Sequence, residues 1–334
     1  MKLDTMLPGP LSAAPAAARH CADMGFDGVF TFEGPTDVFF PLVLAARAAP
    51  LDLMTNVAIA FPRSPIHLAH AANDLHVLSE GRFRLGLGSQ VRAQVERRYG
   101  AEFAHPVARM REWVDAIRAV FAAWESGDRL DFRGRFTTHT LMTPMFTPGP
   151  NPFGRPPILL GALGPAMTRM AAEVADGLLV MPFNSHRFVH DHTLPAVADG
   201  LAAAGRSSDD LEMVCEVIVC AGRTEPELAV AEAGVRGLLS FYGSTPAYRV
   251  VLEAEGWGDL QPELNALSKQ GQWGAMAERI DPTMLRTLAV HGTPKQCAAQ
   301  IVERFGAMAD RVAFYLPYAA DDGCVAEIVD ALKA

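Results

Sequence analysis

The sequence predicts an α/β fold, a (β/α)8 TIM barrel with insertions that takes up residues 1–334 as one domain. Three observations carry that expectation. Short β-rich runs alternate with helical patterns along nearly the whole length, as parallel strands joined by crossover helices require. The runs number eight, the count that closes a barrel, whereas an open dinucleotide-binding sheet usually has about six. Two helix-to-strand junctions, Ala22-Asp23-Met24-Gly25-Phe26-Asp27-Gly28 and Glu173-Val174-Ala175-Asp176-Gly177, end on the same Asp-Gly step, which marks equivalent units rather than a solenoid repeat.

In chain order the strands are expected at 2–7, 28–32, 52–59, 82–87, 157–160, 177–181, 212–220 and 311–316. They are short and apolar because helices cover such a sheet. The helices between them, at 12–24, 41–48, 65–79, 108–124, 166–175, 187–204, 225–239 and 294–308, carry apolar residues at spacings of three and four, one buried stripe each. Two segments break the alternation. Residues 128–157 hold a hairpin over 130–136 and a Pro-rich stretch from 143 to 157. Residues 244–288 hold Trp257, Trp273 and Met276 among helical patterns and are much longer than an ordinary connection. Each is a lid over the barrel mouth, a decoration, or a contact between subunits.

Composition narrows the function. Twenty-nine basic against thirty-eight acidic residues give a net charge of −9, and no basic block exceeds Arg97-Arg98, so no electrostatic footprint for nucleic acid exists. The first eight residues include Asp4 and Pro8 where a signal peptide needs an apolar core, and no run reaches the roughly 18 apolar residues of a membrane span. A cytoplasmic protein without membrane partners is expected. The five cysteines are scattered, odd in number and without a Cys-x-x-Cys pair, which predicts reduced, mostly buried thiols. The histidines at 186, 190 and 192, and at 67 and 70, lack the acid or cysteine partners of a zinc site, so no metal is expected.

The most informative stretch runs from Ile158 to Met167, Ile-Leu-Leu-Gly-Ala-Leu-Gly-Pro-Ala-Met. An apolar strand leads through two glycines into a helix whose first turn takes Pro165, where a missing N–H costs nothing. Free N–H groups at such a helix start face whatever anion arrives. The phrase is either a phosphate cradle or a tight strand-to-helix turn with nothing bound.

Several phrases together resemble the bacterial luciferase-like superfamily of flavin- and deazaflavin-dependent oxidoreductases. They are Ala22 to Glu33, the run Arg63-Ser64-Pro65-Ile66-His67-Leu68-Ala69 continuing to Ser79-Glu80-Gly81-Arg82-Phe83-Arg84-Leu85-Gly86-Leu87-Gly88, the phosphate phrase, and His291-Gly292-Thr293-Pro294. The resemblance covers residues 2 to about 317. It implies a TIM-like barrel with insertions, a homodimer or homotetramer, and a cofactor across the C-terminal ends of the strands. Residues 88–100, with Leu141-Met142-Thr143-Pro144 and Pro150-Asn151-Pro152, are most similar to a branch that uses the deazaflavin coenzyme F420 on an unassigned substrate; FMN is the alternative cofactor.

By the same resemblance the cofactor phosphate would sit on Ala162, Leu163, Gly164, Ala166 and Met167 through backbone donors. The ring would lie over a bulge with a non-prolyl cis peptide near Asn56-Val57, followed by Ala58 and Ile59. Ser89 and Gln90 would line the mouth, and Arg92, with Arg97 and Arg98, could meet the carboxylates of a deazaflavin's oligoglutamate tail; a solvated helix face is the other reading of these arginines. Glu33, at the end of the second strand, is the candidate catalytic acid. In many relatives a histidine directly follows this acid, and those that oxidise a sugar phosphate carry a glutamate three residues after the last glycine of the fourth strand. Here Gly34 and Val91 stand there, which makes glucose 6-phosphate an improbable substrate.

Phe61, Met181, Phe183, Phe241 and Tyr242 are expected to give the mouth an apolar lining, with Asn184 and His186 among its few polar groups, suited to a medium-sized carbonyl, alcohol or enone. The expected function is hydride transfer between coenzyme F420 and such a small molecule. An FMN-dependent luciferase-like monooxygenase is the first alternative, and a barrel that only binds a ligand or scaffolds an oligomer is the second.

Overall fold

The computed structural model describes residues 1–334. Its strands are β1 (Lys2–Met6), β2 (Gly28–Thr31), β3 (Asp52–Thr55), β4 (Ala58–Ile59), β5 (Phe83–Gly88), the hairpin β6 (Phe132–Arg133) and β7 (Thr138–His139), β8 (Ile158–Ala162), β9 (Gly177–Val180), β10 (Glu212–Ala221), β11 (Val290–Gly292) and β12 (Arg311–Tyr315). Eight of them form a closed parallel ring in the order β1-β2-β3-β5-β8-β9-β10-β12, shut where Thr5 meets Phe314. These are the eight runs that the sequence predicts.

Two differences have local causes. The third run does not continue from 52 to 59, because a cis peptide between Asn56 and Val57 splits it into β3 and β4. The short β11 was not expected; β10 is ten residues long and outruns the ring, so Val219 to Ala221 pair with Val290 to Gly292 instead. Helices follow the predicted spans closely, for example Pro65–Leu78 and Pro106–Ser126, the second closed by Gly127 in the left-handed conformation. The last crossover helix, Pro294–Phe305, begins with a capping box in which Thr293 and Gln296 satisfy each other's backbone N–H groups.

Each strand buries its outward residues against the helix ring and its inward residues in the barrel, by the two-residue period of an extended chain. Phe30, Met54, Leu159, Leu179, Val214 and Ala313 form the middle of the interior. One step toward the N-terminal end lie Asp4, Asp52, Arg84, Glu212 and Arg311, joined by ion pairs. Two residues in the other direction from the middle layer come Phe32, Asn56, Gly161, Met181, Glu216 and Tyr315, at the C-terminal mouth. The insertion at 244–288 folds into a 3-10 turn and four short α-helices, and these pack with Phe183, Phe188 and the helix Glu225–Gly243 into a second apolar cluster beside that mouth. No helix is long and apolar enough to cross a membrane, and all five cysteines are free and buried.

Candidate functional site

Glycines shape the floor of the mouth. A side chain at Gly86 would collide with the Thr55 carbonyl, and one at Gly88 with the Val57 side chain, while a Cβ on Gly161 would stand 3.1 Å from Val57. The glycines read from β5 and β8 therefore let the Asn56–Val57 turn fold over the barrel axis, the close approach that an interior strand glycine signals. The cis peptide lies where the resemblance implied it. Ala58 and Ile59 are fully buried behind it and pair with Leu87 and Gly88.

Glu33 buttresses this turn. Its Oε2 accepts from the Ile59 N–H at 3.1 Å and from Arg63 Nη1 at 2.7 Å, and its Oε1 from Arg63 Nη2 at 2.9 Å. A carboxylate engaged by one backbone N–H and both Nη donors of a guanidinium fixes the path of the chain around it. The candidate catalytic acid is thereby tied to the residues that shape the mouth.

The phosphate phrase folds as expected up to a point. Ala162 ends β8 in register with Val180, and Gly164 caps the helix Pro165–Val174 with no side-chain hydrogen bond. Leu163 and Gly164 donate their N–H groups to no protein acceptor, and a Cβ added to Gly164 would meet nothing within 4 Å. Ala166 is exposed on the first turn. Met167 departs from the expectation, because its N–H already donates to the Gly164 carbonyl at 3.1 Å. Gly164 has φ of −72°, which any residue adopts, so neither backbone geometry nor protein packing requires a glycine there.

Across the mouth, Gln90 sits in the left-handed region at φ 55° and turns its own Oε1 to the Val91 N–H, with Ser89 hydroxyl donating to the Gln90 carbonyl. Such backbone strain in a non-glycine residue concentrates at sites that bind. Arg92 projects outward, paired with Glu96 at 2.7 Å and lying 5.2 Å over the Phe103 ring. Arg98 reaches back to the Gly34 carbonyl at 2.6 Å.

The expected aromatic lining divides. Phe183, Tyr242 and Tyr248 stack within 5.8 to 6.3 Å of one another beside the mouth. Phe61 instead packs behind the sheet on Phe103 and Trp113, and Phe241 is half exposed on the outer side of its helix. Sequence reasoning missed Glu216, which stands on the inner face of β10, in register with Ala313 and 7% exposed. Burial pushes its carboxyl up to about 8, with the Asn56 amide drawing it the other way. Asn56 Nδ2 is itself buried and completes no hydrogen bond of good geometry. Tyr242 and Tyr315, one hydroxyl donating toward the other, flank the acid, and burial raises both phenols. The signal was available: an acid in the middle of Val-Cys-Glu-Val-Ile is out of place in an otherwise apolar buried strand.

Comparison with known proteins places this architecture. The sequence profile described as luciferase-like monooxygenase matches residues 2–311. An uncharacterized protein of Mycobacterium tuberculosis is 46% identical over 313 residues, covering 93% of this chain and 92% of the relative. A candidate coenzyme F420-dependent oxidoreductase of the same organism is 32% identical over 289 residues, 81% of each chain. The structure of the coenzyme F420-dependent tetrahydromethanopterin reductase from Methanopyrus kandleri superposes with a TM-score of 0.82 at 17% identity, covering 100% of this chain and 98% of that one. With its eightfold ring, its glycine-floored mouth and a profile match over nearly its whole length, the chain belongs to the luciferase-like monooxygenase family.

Proposed function

We propose that the protein transfers a hydride between coenzyme F420 and a medium-sized, largely apolar small molecule held in the barrel mouth. The observation that carries this is the anion seat at the start of the helix Pro165–Val174: two free backbone N–H groups, at Leu163 and Gly164, at the positive end of a ten-residue helix, beside a glycine with open space over it. That seat fits the phosphate of a deazaflavin, and the Val57 turn over Gly88 and Gly161 gives a flat ring a surface to rest on. When bound, the deazaflavin supplies the hydride.

The chain's own residues bind and position. Leu163 and Gly164 hold the phosphate; Asn56 to Ile59, clamped by Glu33 and Arg63, set the height of the ring; Ser89 and Gln90 close the mouth opposite. Phe183, Tyr242 and Tyr248 exclude water and favour an apolar substrate. The helices of 244–288 beside them act as the lid, and the exposed Phe40, Val43 and Leu44 on one helix support assembly as a homodimer or homotetramer. The names of a 32% identical relative and of a well-superposed structure, both tied to coenzyme F420, favour the deazaflavin over FMN.

Titrating the purified protein with F420 and, separately, with FMN while following cofactor fluorescence tests the proposal. Micromolar binding of F420 with no measurable binding of FMN is expected. The converse selects a flavin monooxygenase, and silence to both selects a barrel without redox chemistry.

A further inference from the structure

Among the inward positions at the mouth, Phe32, Asn56, Gly161, Met181, Glu216 and Tyr315, only Glu216 carries a carboxyl group. Glu216 is 7% exposed, forms no ion pair, and no side chain or backbone donor reaches it with full hydrogen-bond geometry. The groups that face it are the Asn56 amide from β3, the Tyr315 hydroxyl from β12 and the Tyr242 hydroxyl from the helix Glu225–Gly243; none is charged at neutral pH. Acids removed from water normally sit with a cation or several amides, as the buried Asp4 does with Arg311 and the half-buried Glu112 does with the Arg135, Phe136 and Thr137 N–H groups. Glu216 has neither, and lies near Tyr242, which stacks on Phe183 and Tyr248.

We infer that Glu216 is the proton donor of the substrate seat and that the substrate is a neutral, largely apolar molecule whose reacting oxygen is a carbonyl in one redox state and an alcohol in the other. This rests on the hydride-transfer function proposed above. A protonated carboxyl in an apolar mouth donates one hydrogen bond, and a carbonyl oxygen is the acceptor that matches it. In the reducing direction the carbonyl carbon gains the hydride that the deazaflavin supplies, forming a C–H bond as the C=O π bond opens. The oxygen takes the Glu216 proton, forming O–H as the carboxyl O–H breaks. One hydride and one proton, two electrons and two protons in all, have then reached the substrate, which leaves as an alcohol, and Glu216 remains a carboxylate until Tyr242 and Tyr315 relay a proton from the rim. The raised ionisation of the carboxyl, to about 8, agrees with an acid that keeps its proton at neutral pH.

The test uses the full chain, with and without F420, and cyclohexanone as the probe ketone, with binding followed by calorimetry. Because about one tenth of an acid titrating near 8 stays protonated at pH 9, wild-type affinity for the ketone should be roughly tenfold weaker at about pH 9 than at about pH 6. Glu216→Gln, which keeps the donor and cannot ionise, should bind equally at both. An infrared carboxyl band that vanishes between about pH 7 and pH 9 should be present in the wild type and missing from that variant. Ketone binding that is absent, or flat with pH in the wild type, overturns the inference, as does the same pH dependence in Glu216→Gln. F420 titrated into both proteins separates the two proposals: loss of F420 binding in both condemns the cofactor assignment alone, whereas equal F420 binding with pH-independent ketone binding condemns the role of Glu216 alone.

Discussion

The two ends of this barrel bury acids by opposite means. At the N-terminal end Asp4 is 1% exposed, and Arg311 Nε and Nη2 donate to it at 2.8 and 2.5 Å while Nη1 reaches Asp52 at 2.8 Å. Burial would lower the Arg311 guanidinium, but Asp4 and Asp52 hold it well above its ordinary range, so the plug is a network of ions. At the C-terminal end Glu216 is buried almost as deeply with no cation near it. A fold that can pair its interior acids at one end and leaves one unpaired at the other is spending stability where ligands enter. The contrast separates what closes the ring from what the ring is for.

Breaking the paired end should produce the largest effect. Arg311→Met strands the buried Asp4 carboxylate and takes one partner from Asp52, which keeps Lys2 and Arg84; removal of one partner of a buried pair costs about 3–5 kcal/mol, so a loss within that range is expected in urea unfolding at neutral pH. Adding Asp4→Asn to Arg311→Met should recover part of it, because one stranded charge is gone. Strictly additive losses would show that the two residues do not act as a pair.

The unpaired end should show itself in pH dependence. The folded-state ionisation of Glu216 lies at about 8, above its unfolded value of 4.5, so the folded state holds the proton more tightly. Below the unfolded value nothing is lost; between the two the unfolded chain gives up its proton first, and stability falls as pH rises until the folded carboxyl also ionises. The full span corresponds to at most about 5 kcal/mol, and water drawn into the mouth by the carboxylate reduces the expected fall to roughly 3 kcal/mol between about pH 5 and pH 8. Unfolding curves for the wild type and Glu216→Gln should therefore converge near pH 4.5 and separate as pH rises. Parallel curves would mean that Glu216 is ionised in the fold and that the two ends are alike.

The anion seat is the third point of comparison, since it binds with backbone alone. Gly164→Asp finds open space and an ordinary φ, so the fold should tolerate it, yet it puts a carboxylate where the phosphate belongs. F420 affinity should fall about 100-fold, close to 2.7 kcal/mol, while Gly164→Ala falls less than about tenfold and melting of both stays near the wild type. Equal binding by the Asp variant would move the phosphate elsewhere.

Much of this was legible in the sequence because the signals are local or periodic. All eight ring strands could be read from short apolar runs, whereas the tight approach of Val57 to Gly88 and Gly161 shows only in the fold. What escaped depends on contacts distant in the chain. Glu33 reads as a strand-end acid free to react until Arg63, thirty residues on, is seen to hold both oxygens. Met167 reads as a free donor until the first helical turn tightens onto Gly164. Glu216 was passed over because a strand was inferred from its apolar neighbours; only the closed ring, which turns alternate residues toward a shared axis, reveals that this acid faces Asn56 from β3 and Tyr315 from β12.

The rim arginines offer the smallest and finest test. Arg92 leaves 63% of its side chain exposed and pairs with Glu96 one helical turn on, an arrangement that contributes little to stability, so Arg92→Gln should change the unfolding free energy by less than about 0.5 kcal/mol. Its second reading, as a partner for the oligoglutamate tail of F420, predicts an effect of a different kind. Affinity should drop about threefold at low ionic strength and recover as salt screens the rim, since exposed charges lose most of their interaction beyond a Debye length of about 10 Å at 0.1 M. The same cofactor stripped of its glutamates should bind Arg92→Gln and the wild type equally. If the stripped form shows the same threefold difference, Arg92 acts on the shape of the mouth through Phe103, over which its guanidinium lies, and the tail leaves the barrel by another route.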